Sequence, residues 1–427
     1  MSVTAPAQSA LDARVATLLA HDRPVPRYTS YPTVPAWSTS PPDDAWEQLL
    51  SRLDGPAQLY AHIPFCRRQC AYCGCNMAVS RNQGVGDRYL DVLQRQLDLL
   101  PSLHAEALHL GGGTPTWLDG PQLTRLLSMF ASRFGTLRVS VEADPETLDD
   151  DRMTVLAGIE RLSLGVQTLD PVVTAAVNRD QTAQTVAWSV REARRRGIRS
   201  LNFDLMYGLP HQTAERFAAT LDQVAELRPE RIAVFGYAHV PQMMKHQRGL
   251  TDLPSPEERA RLALLAEEKL LAAGYAQVGF DHYALPDDPL ASGPIERGFM
   301  GYTPRTLPII GLGPSSISAV NGVYLQNGAA LGPWLRGEAL GEVHRFYAST
   351  PDDRARGRII EAILCRGQAE VDWALYPQAR ARLIDELPDV VDLDARSLTV
   401  RPGLMMLARN VASAFDAWGG RSGSRAI

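Results

Sequence analysis

Lysine is almost missing from this chain of 427 residues: it stands only at Lys245 and Lys269, so nearly all of the 43 basic residues are arginine. The formal net charge is −5, which leaves no overall positive field to hold a nucleic-acid backbone and excludes nucleic acid as the main partner. The arginine run Arg194-Arg195-Arg196-Gly197 is read as structural, because cations complement the end of a helix just before a glycine stop. A run of about 18 apolar residues, the length that spans a bilayer, is lacking, so no membrane span is expected. Met1 to Ala20 carries Asp12 and lacks the charge-then-apolar pattern of a secretory leader, which predicts a cytoplasmic protein. The Gly-Lys-Ser/Thr ending of a phosphate loop is absent from the one glycine triplet, Gly111–Gly113.

What is present is an ordinary core-forming composition, 45% hydrophobic and 21% charged, and an uneven distribution of cysteine. Four of the five cysteines fall in Cys66-Arg-Arg-Gln-Cys70-Ala-Tyr-Cys73-Gly-Cys75, a poor disulfide framework and a natural soft-metal site. Cys365, alone in an apolar helical run, is expected to be a buried core thiol.

Short β-rich runs alternate with helical periodicity from Leu59 onward. Strands are predicted at 59–63, 107–110, 137–142, 161–166, 201–206 and 231–235, and helices at 88–100, 121–134, 149–158, 182–196, 213–227 and 256–273. Six βα units imply an α/β fold, a partial (β/α)6 barrel of parallel strands. Residues 1–57, broken by Pro24, Pro26, Pro32, Pro35, Pro41 and Pro42, read as an N-terminal arm without regular elements. The catalytic barrel with its extensions spans 58–345. A mostly helical C-terminal domain, with a short hairpin at 390–400, spans 346–427.

The unusual residues follow the strands: the cysteine loop, Gly111-Gly112-Gly113-Thr114-Pro115, Glu142-Ala-Asp144, Gln167, Asp204 and Tyr237-Ala238-His239. In parallel α/β folds ligands bind at the carboxyl ends of strands, so these signals point to one site. Three thiolates can bind three irons of a [4Fe–4S] cube and leave the fourth iron open to chelate an amino-acid end. The spacing of Cys66, Cys70 and Cys73, with Tyr72 before the last, resembles that of radical S-adenosylmethionine enzymes. The competing reading is structural zinc, which prefers paired cysteine halves and finds no second half here. Carboxylates such as Glu142 and Asp204 suit ribose hydroxyls, and Arg179 suits a carboxylate. His62 and His239 are read either as site residues or as packed, satisfied histidines.

With these residues in view, the chain resembles the oxygen-independent coproporphyrinogen III oxidase family almost end to end. The resemblance runs from Pro26-Arg27-Tyr28-Thr29-Ser30-Tyr31-Pro32-Thr33 through Cys73-Gly-Cys75-Asn76, Asp204-Leu-Met-Tyr-Gly-Leu-Pro210, Asp281-His282-Tyr283-Ala284 and Gly301-Tyr-Thr303 to Asn410–Phe415. It implies an oxidoreductase of heme biosynthesis that decarboxylates two propionates of coproporphyrinogen III to vinyls, giving protoporphyrinogen IX. It implies a [4Fe–4S] cluster on Cys66, Cys70 and Cys73, with Cys75 not a ligand, and Glu142 in the catalytic group. Two S-adenosylmethionine molecules are implied: Tyr60, Gly112, Glu142 and Ile317 would contact the first, and Tyr72, Gly113, Thr114, Gln167, Arg179, Asp204 and Ala238 the second. An electron donor such as flavodoxin or ferredoxin and a monomeric state are implied too. The arm is expected to act as a lid. The departure from the family is Pro304–Pro308, shorter and less polar than the family's run, which bears on the tetrapyrrole contacts. It keeps open a paralogue that transfers a methyl or methylene group, and a non-catalytic heme chaperone.

Overall fold

Strict alternation in Ser200–Tyr207 buries Leu201, Phe203, Leu205 and Tyr207 and turns Asn202 and Asp204 to the other face, as a period of two requires. The barrel strands of the computed structural model, which describes residues 5–419 together with 423 and 425, either alternate in this way, as along 161–167, or are buried without a break, as over 107–111 and 232–234. They are β1 (Ala57–Ile63), β2 (Ala105–Gly112), β3 (Arg138–Ala143), β4 (Arg161–Gln167), β5 (Ser200–Tyr207) and β6 (Arg231–Gly236). All six coincide with the strands predicted above, to within two residues at each end.

Contacts gather the chain into two compact units, each assembled from separate stretches: Trp37–Asp204 with Leu307–Ser349, and Met1–Ala36 with Leu205–Thr306 and Thr350–Ile427. This grouping cuts across the three sequence segments, because the sheet order does not follow the chain order.

In the first unit β1 to β4 run parallel, with Tyr60 opposite His109, and Glu142 opposite Ser163. On its other edge β1 takes a parallel partner from far down the chain, Ile309–Leu312, followed by the antiparallel strands Ile317–Val320, Val323–Asn327 and Val343–Ala348. The barrel is therefore partial: its first strand continues into an antiparallel extension rather than closing. The helices Gly84–Leu99 and Gly120–Phe134 cover this sheet with their apolar sides, and the second is started by a reciprocal cap between Asp119 and Gln122. The helix predicted at 149–158 is shorter, Asp150–Val155, and a helix that the sequence reading missed, Pro171–Ala176, is capped by Asp170 and carries the chain to Arg179.

In the second unit β6 pairs antiparallel with His282–Ala284, which pairs with Ala276–Val278. Cys365 is 3% exposed within the helix Pro351–Arg366, as expected. The predicted hairpin is Val391–Leu393 with Ser397–Val400, to which Gln368–Glu370 adds a third strand.

The arm needs correction. Residues 5–21 form a helix, Ala5–His21, and Ala45–Leu50 a second, because no proline falls between Ala7 and Arg23. Nor does the arm hang free. Val15 and Leu18 are buried, Arg14 bonds Glu267 at 2.7 Å, the Tyr28 hydroxyl donates to Asp416 at 3.1 Å, and the Tyr31 hydroxyl accepts from Ala417 N–H at 2.8 Å. Arg409, 3% exposed, donates to the carbonyls of Val25 and Pro26, and Asn410 to that of His21. A segment fastened in this way packs as part of its unit.

Arg409→Met keeps the side chain's length but leaves those buried carbonyls without donors, which costs about 2–4 kcal/mol. The urea midpoint of the variant is expected to fall accordingly; an unchanged midpoint would show that the clamp contributes nothing.

Candidate active site

The loop after β1 begins with a short parallel pairing, Phe65 opposite Ala78 and Cys66 opposite Val79, so the four cysteines are carried on a closed excursion. Both its flanks are tied down. On one side the His62 ring bridges the Tyr60 hydroxyl, 3.0 Å from Nδ1, and the Asn76 carbonyl, 2.8 Å from Nε2. His62 is thus a packed, satisfied histidine. On the other, Ala71 N–H bonds the Val177 carbonyl at 2.9 Å, Asn178 donates to the Gln69 carbonyl at 2.8 Å, and Arg68 pairs with Asp180.

The loop faces a cavity of about 220 Å³. Cys66, Cys70, Tyr72, Cys73 and Cys75 line it, as do Gly112, Gly113, Thr114 and Glu142 at the ends of β2 and β3. Gln167, Arg179 and Asp204 complete the predicted set on its wall. The strand-end reading therefore brings these residues together as expected. Tyr60 and Ile317 stand outside the lining: Tyr60 stacks on His109 at 6.0 Å, and the backbone of Ile317 presses on Gly311. Ala238 lines a different cavity, in the other unit. His239 accompanies it, its Nδ1 3.0 Å from the Tyr237 hydroxyl.

Glycine at 112 and 113 is a steric requirement. Gly112 has φ +114°, and a Cβ there would lie 2.9 Å from the His62 ring and 3.0 Å from the Ile63 carbonyl. A Cβ on Gly113 would meet the Phe65 carbonyl at 2.8 Å and Cys66 Sγ at 3.1 Å. Gln167 carries φ +64°, a conformation that a side chain adopts only under compulsion; Gln181 supplies it, donating to the carbonyls of Val166 and Thr168 on either side.

Charge in the cleft is tightly paired. The Arg179 guanidinium donates to Cys70 Sγ at 3.4 Å, the Tyr72 hydroxyl at 3.0 Å, Asp144 at 3.1 Å, Gln181 at 2.9 Å and the Gly165 carbonyl. Burial alone would lower its pKa, but the negative partners around it win and raise it. Burial likewise pushes Glu142 up, yet the His109 ring 3.1 Å away and the Gly112 N–H leave its carboxyl below the ordinary range. Asp204 is held on its face by Asn202 at 2.9 Å, and Ser163 stands 3.4 Å from its other oxygen. Burial drives the Cys66 thiol up to about 12, partly offset by the Thr114 hydroxyl at 3.3 Å. Cys73 is lowered to about 6, chiefly by a hydrogen bond from the Cys75 thiol, which is itself raised. The thiolate form that binds metal is thus favoured at Cys73.

Gln181, His109, Ser163 and Asn202 support the site although the sequence reading did not select them, and Asp144, named there only as part of a strand-end motif, does so too. For His109 the signal was a lone polar residue between Leu108 and Leu110; for Asp144 it was the motif Glu142-Ala-Asp144 itself.

The cleft fits a polar ligand beside three thiols. Gln167 Oε1 and Arg179 Nε are buried without any partner, and the two glycines leave the backbone bare next to Cys66. Among the described residues no three His, Cys, Asp or Glu side chains converge as they would around a single ion. Thiols that each bind a different iron of a cube have no need to.

The radical SAM superfamily profile matches residues 60–224. Oxygen-independent coproporphyrinogen III oxidase of Salmonella typhimurium is 37% identical, over 92% of this chain and 93% of its own length. The same-named protein of Escherichia coli is 36% identical over the same shares. The chain belongs to the oxygen-independent coproporphyrinogen III oxidase family. The solved structure of coproporphyrinogen III oxidase HemN from Escherichia coli, described as a radical SAM enzyme, superposes with a TM-score of 0.86 at 35% identity, over 92% of this chain and 97% of that one. A radical SAM oxidase of this family uses a [4Fe–4S] cluster and S-adenosylmethionine. No described helix is long and apolar enough to cross a membrane.

Gly112→Ala forces a side chain into the left-handed region and against His62, and is expected to destabilise the protein by about 2–4 kcal/mol. Thermal unfolding measures it; a melting temperature equal to the parent's would show that the cradle is more tolerant than its geometry.

Proposed function

We propose that this protein carries out the anaerobic oxidative decarboxylation of two propionate side chains of coproporphyrinogen III, giving protoporphyrinogen IX. Each conversion removes one hydrogen atom from the propionate β-carbon, passes one electron to a one-electron acceptor and releases carbon dioxide, which leaves a vinyl. The observation that carries this reading is the similarity to the oxidases, which runs over 92% of the chain and 93% of the relative's own length.

Cys66, Cys70 and Cys73 are the thiolates that would hold the cluster. Bound cluster and S-adenosylmethionine supply a 5′-deoxyadenosyl radical. The protein's own groups bind and orient. The Gly112–Gly113 backbone admits the ligand next to Cys66, and Glu142, kept ionised by His109, suits an ammonium or ribose hydroxyls. In the division of roles that the family implies, Tyr60, Gly112, Glu142 and Ile317 serve a first S-adenosylmethionine. Tyr72, Gly113, Thr114, Gln167, Arg179, Asp204 and Ala238 serve a second; Gln167 Oε1 and Arg179 Nε are the acceptor and donor left for it. Electrons come from a small carrier protein such as flavodoxin or ferredoxin, and the enzyme works as a monomer in the cytoplasm. The shortened segment 304–308 closes onto its own hairpin, where Thr306 N–H bonds Glu296 at 2.6 Å; the hairpin is Glu296–Gly298 with Gly301–Thr303.

The deciding experiment is anaerobic incubation of the reconstituted protein with S-adenosylmethionine, a reductant and coproporphyrinogen III. Protoporphyrinogen and 5′-deoxyadenosine are expected together. 5′-Deoxyadenosine without the decarboxylated product would sink the oxidase reading and leave the group-transfer paralogue. Stoichiometric heme binding without cleavage of S-adenosylmethionine would leave the chaperone.

Cysteine variants test the ligand set separately. Cys70→Ser is expected to lose the broad absorption near 400 nm after reconstitution, and Cys75→Ser to keep it with unchanged iron and sulfide content. Loss of iron in Cys75→Ser would make Cys75 a ligand.

A further inference from the structure

Gln181 is 4% exposed and belongs to no motif, yet both ends of its amide are engaged. Its Nε2 donates to the Val166 carbonyl at 2.6 Å and to the Thr168 carbonyl at 3.1 Å, while its Oε1 accepts from Arg179 Nη2 at 2.9 Å. One side chain thus grips the backbone on both sides of Gln167 and the guanidinium of Arg179. The backbone that it grips is sharply bent. Thr168 N–H bonds the Val166 carbonyl at 2.7 Å across a three-residue turn, and Gln167 at the centre has φ +64°. A three-residue turn with positive φ at its centre is the rare and strained form, and a residue other than glycine holds it only where its surroundings impose it. The Val166 carbonyl accepts from both Thr168 and Gln181, so the buried amide braces the turn at its closing bond.

The turn displays one member of a pair. Gln167 and Arg179, 8% and 7% exposed, both line the cysteine cleft. Their side chains meet over the same glycine: a Cβ on Gly165 would lie 3.2 Å from Gln167 Nε2 and 3.9 Å from Arg179 Nη2, and the Gly165 carbonyl accepts from that Nη2. Each of the two keeps one buried polar atom without a partner, Oε1 in Gln167 and Nε in Arg179. An ordinary packing contact needs neither a positive φ nor polar atoms left over; a pre-organised binding pair has use for both. Gln181 lines the cleft too, but both its amide hydrogens are given to carbonyls, so it acts on a ligand through its neighbours.

We infer that Gln181 is a positioning residue for the ligand of the cleft: it holds Gln167 in the strained turn and ties it to Arg179, so that the two meet the ligand as one fixed pair. The inference rests on the proposed function only for the name of that ligand, S-adenosylmethionine.

The test is anaerobic equilibrium binding of S-adenosylmethionine to the cluster-reconstituted full chain, with the absorption near 400 nm and the thermal midpoint recorded for each variant. Gln181→Met, similar in length but without amide donors, is expected to weaken one equivalent about tenfold while the cluster absorption stays as in the parent. Gln181→Glu keeps the acceptor for Arg179 and loses only the donors to the turn; the same loss is expected. Gln167→Gly removes the presented side chain and the strain together. In that background the further change Gln181→Met is expected to cost about threefold at most, because residues that act as a unit are not additive. A full tenfold loss in both backgrounds would reduce Gln181 to general packing and overturn the inference, and parent affinity in Gln181→Met and Gln181→Glu would overturn it as well. A parent that binds a single equivalent, weakened in the same way, upholds the inference and refutes the division between two S-adenosylmethionine molecules. Protoporphyrinogen formation by the parent in the same preparation reports on the oxidase reading independently.

Discussion

The Arg179 guanidinium gathers the cleft, because its donors reach a cysteine and a tyrosine of the loop after β1, the aspartate after β3, the backbone of β4 and the glutamine two residues on. A buried cation stripped of water is tolerable only if its N–H groups find acceptors, and removing one member of such a set typically costs about 3–5 kcal/mol. Segments far apart in sequence are held in register by that demand. Nε alone is left buried without an acceptor.

Around that centre the backbone is shaped by clearance. Gly112 and Gly113 let β2 end against His62, Phe65 and Cys66 at distances that no Cβ could share. His62 in turn binds the far end of the cysteine loop through the Asn76 carbonyl. The chain of contacts from Glu142 through His109 and Tyr60 to His62 runs across β1, β2 and β3, because parallel pairing sets Tyr60 opposite His109. Sheet register thus places the carboxylate and the cysteine loop relative to each other.

The barrel strands and the cleft were legible because their signals are local. Alternating burial marks β4 and β5, unbroken apolar runs mark β2 and β6, and chemistry-bearing residues directly after strands mark the loops of one face. The arm was misread because counting prolines over residues 1–57 overlooked the proline-free stretch that forms Ala5–His21. The antiparallel extension beyond β1 escaped notice since it depends on pairing Tyr60 with Gly311, a contact across most of the chain. His109, Gln181 and Asn202 carry no motif; each matters through the neighbour it fixes.

By itself the sequence determined the chemistry on offer: three thiols at the spacing of a cluster loop, a glycine pair after a strand, and carboxylates at strand ends. These are properties of residue type and short-range spacing. The tertiary structure decided which groups act together and in what state. It raised the Cys66 thiol by burial and lowered Cys73 through Cys75, left Gln167 and Arg179 with one unsatisfied atom each, and set Ala238 in the lining of a second cavity. Protonation, hydrogen-bond satisfaction and exclusion of water depend on what surrounds a group in space, and that enclosure exists only once distant segments have packed.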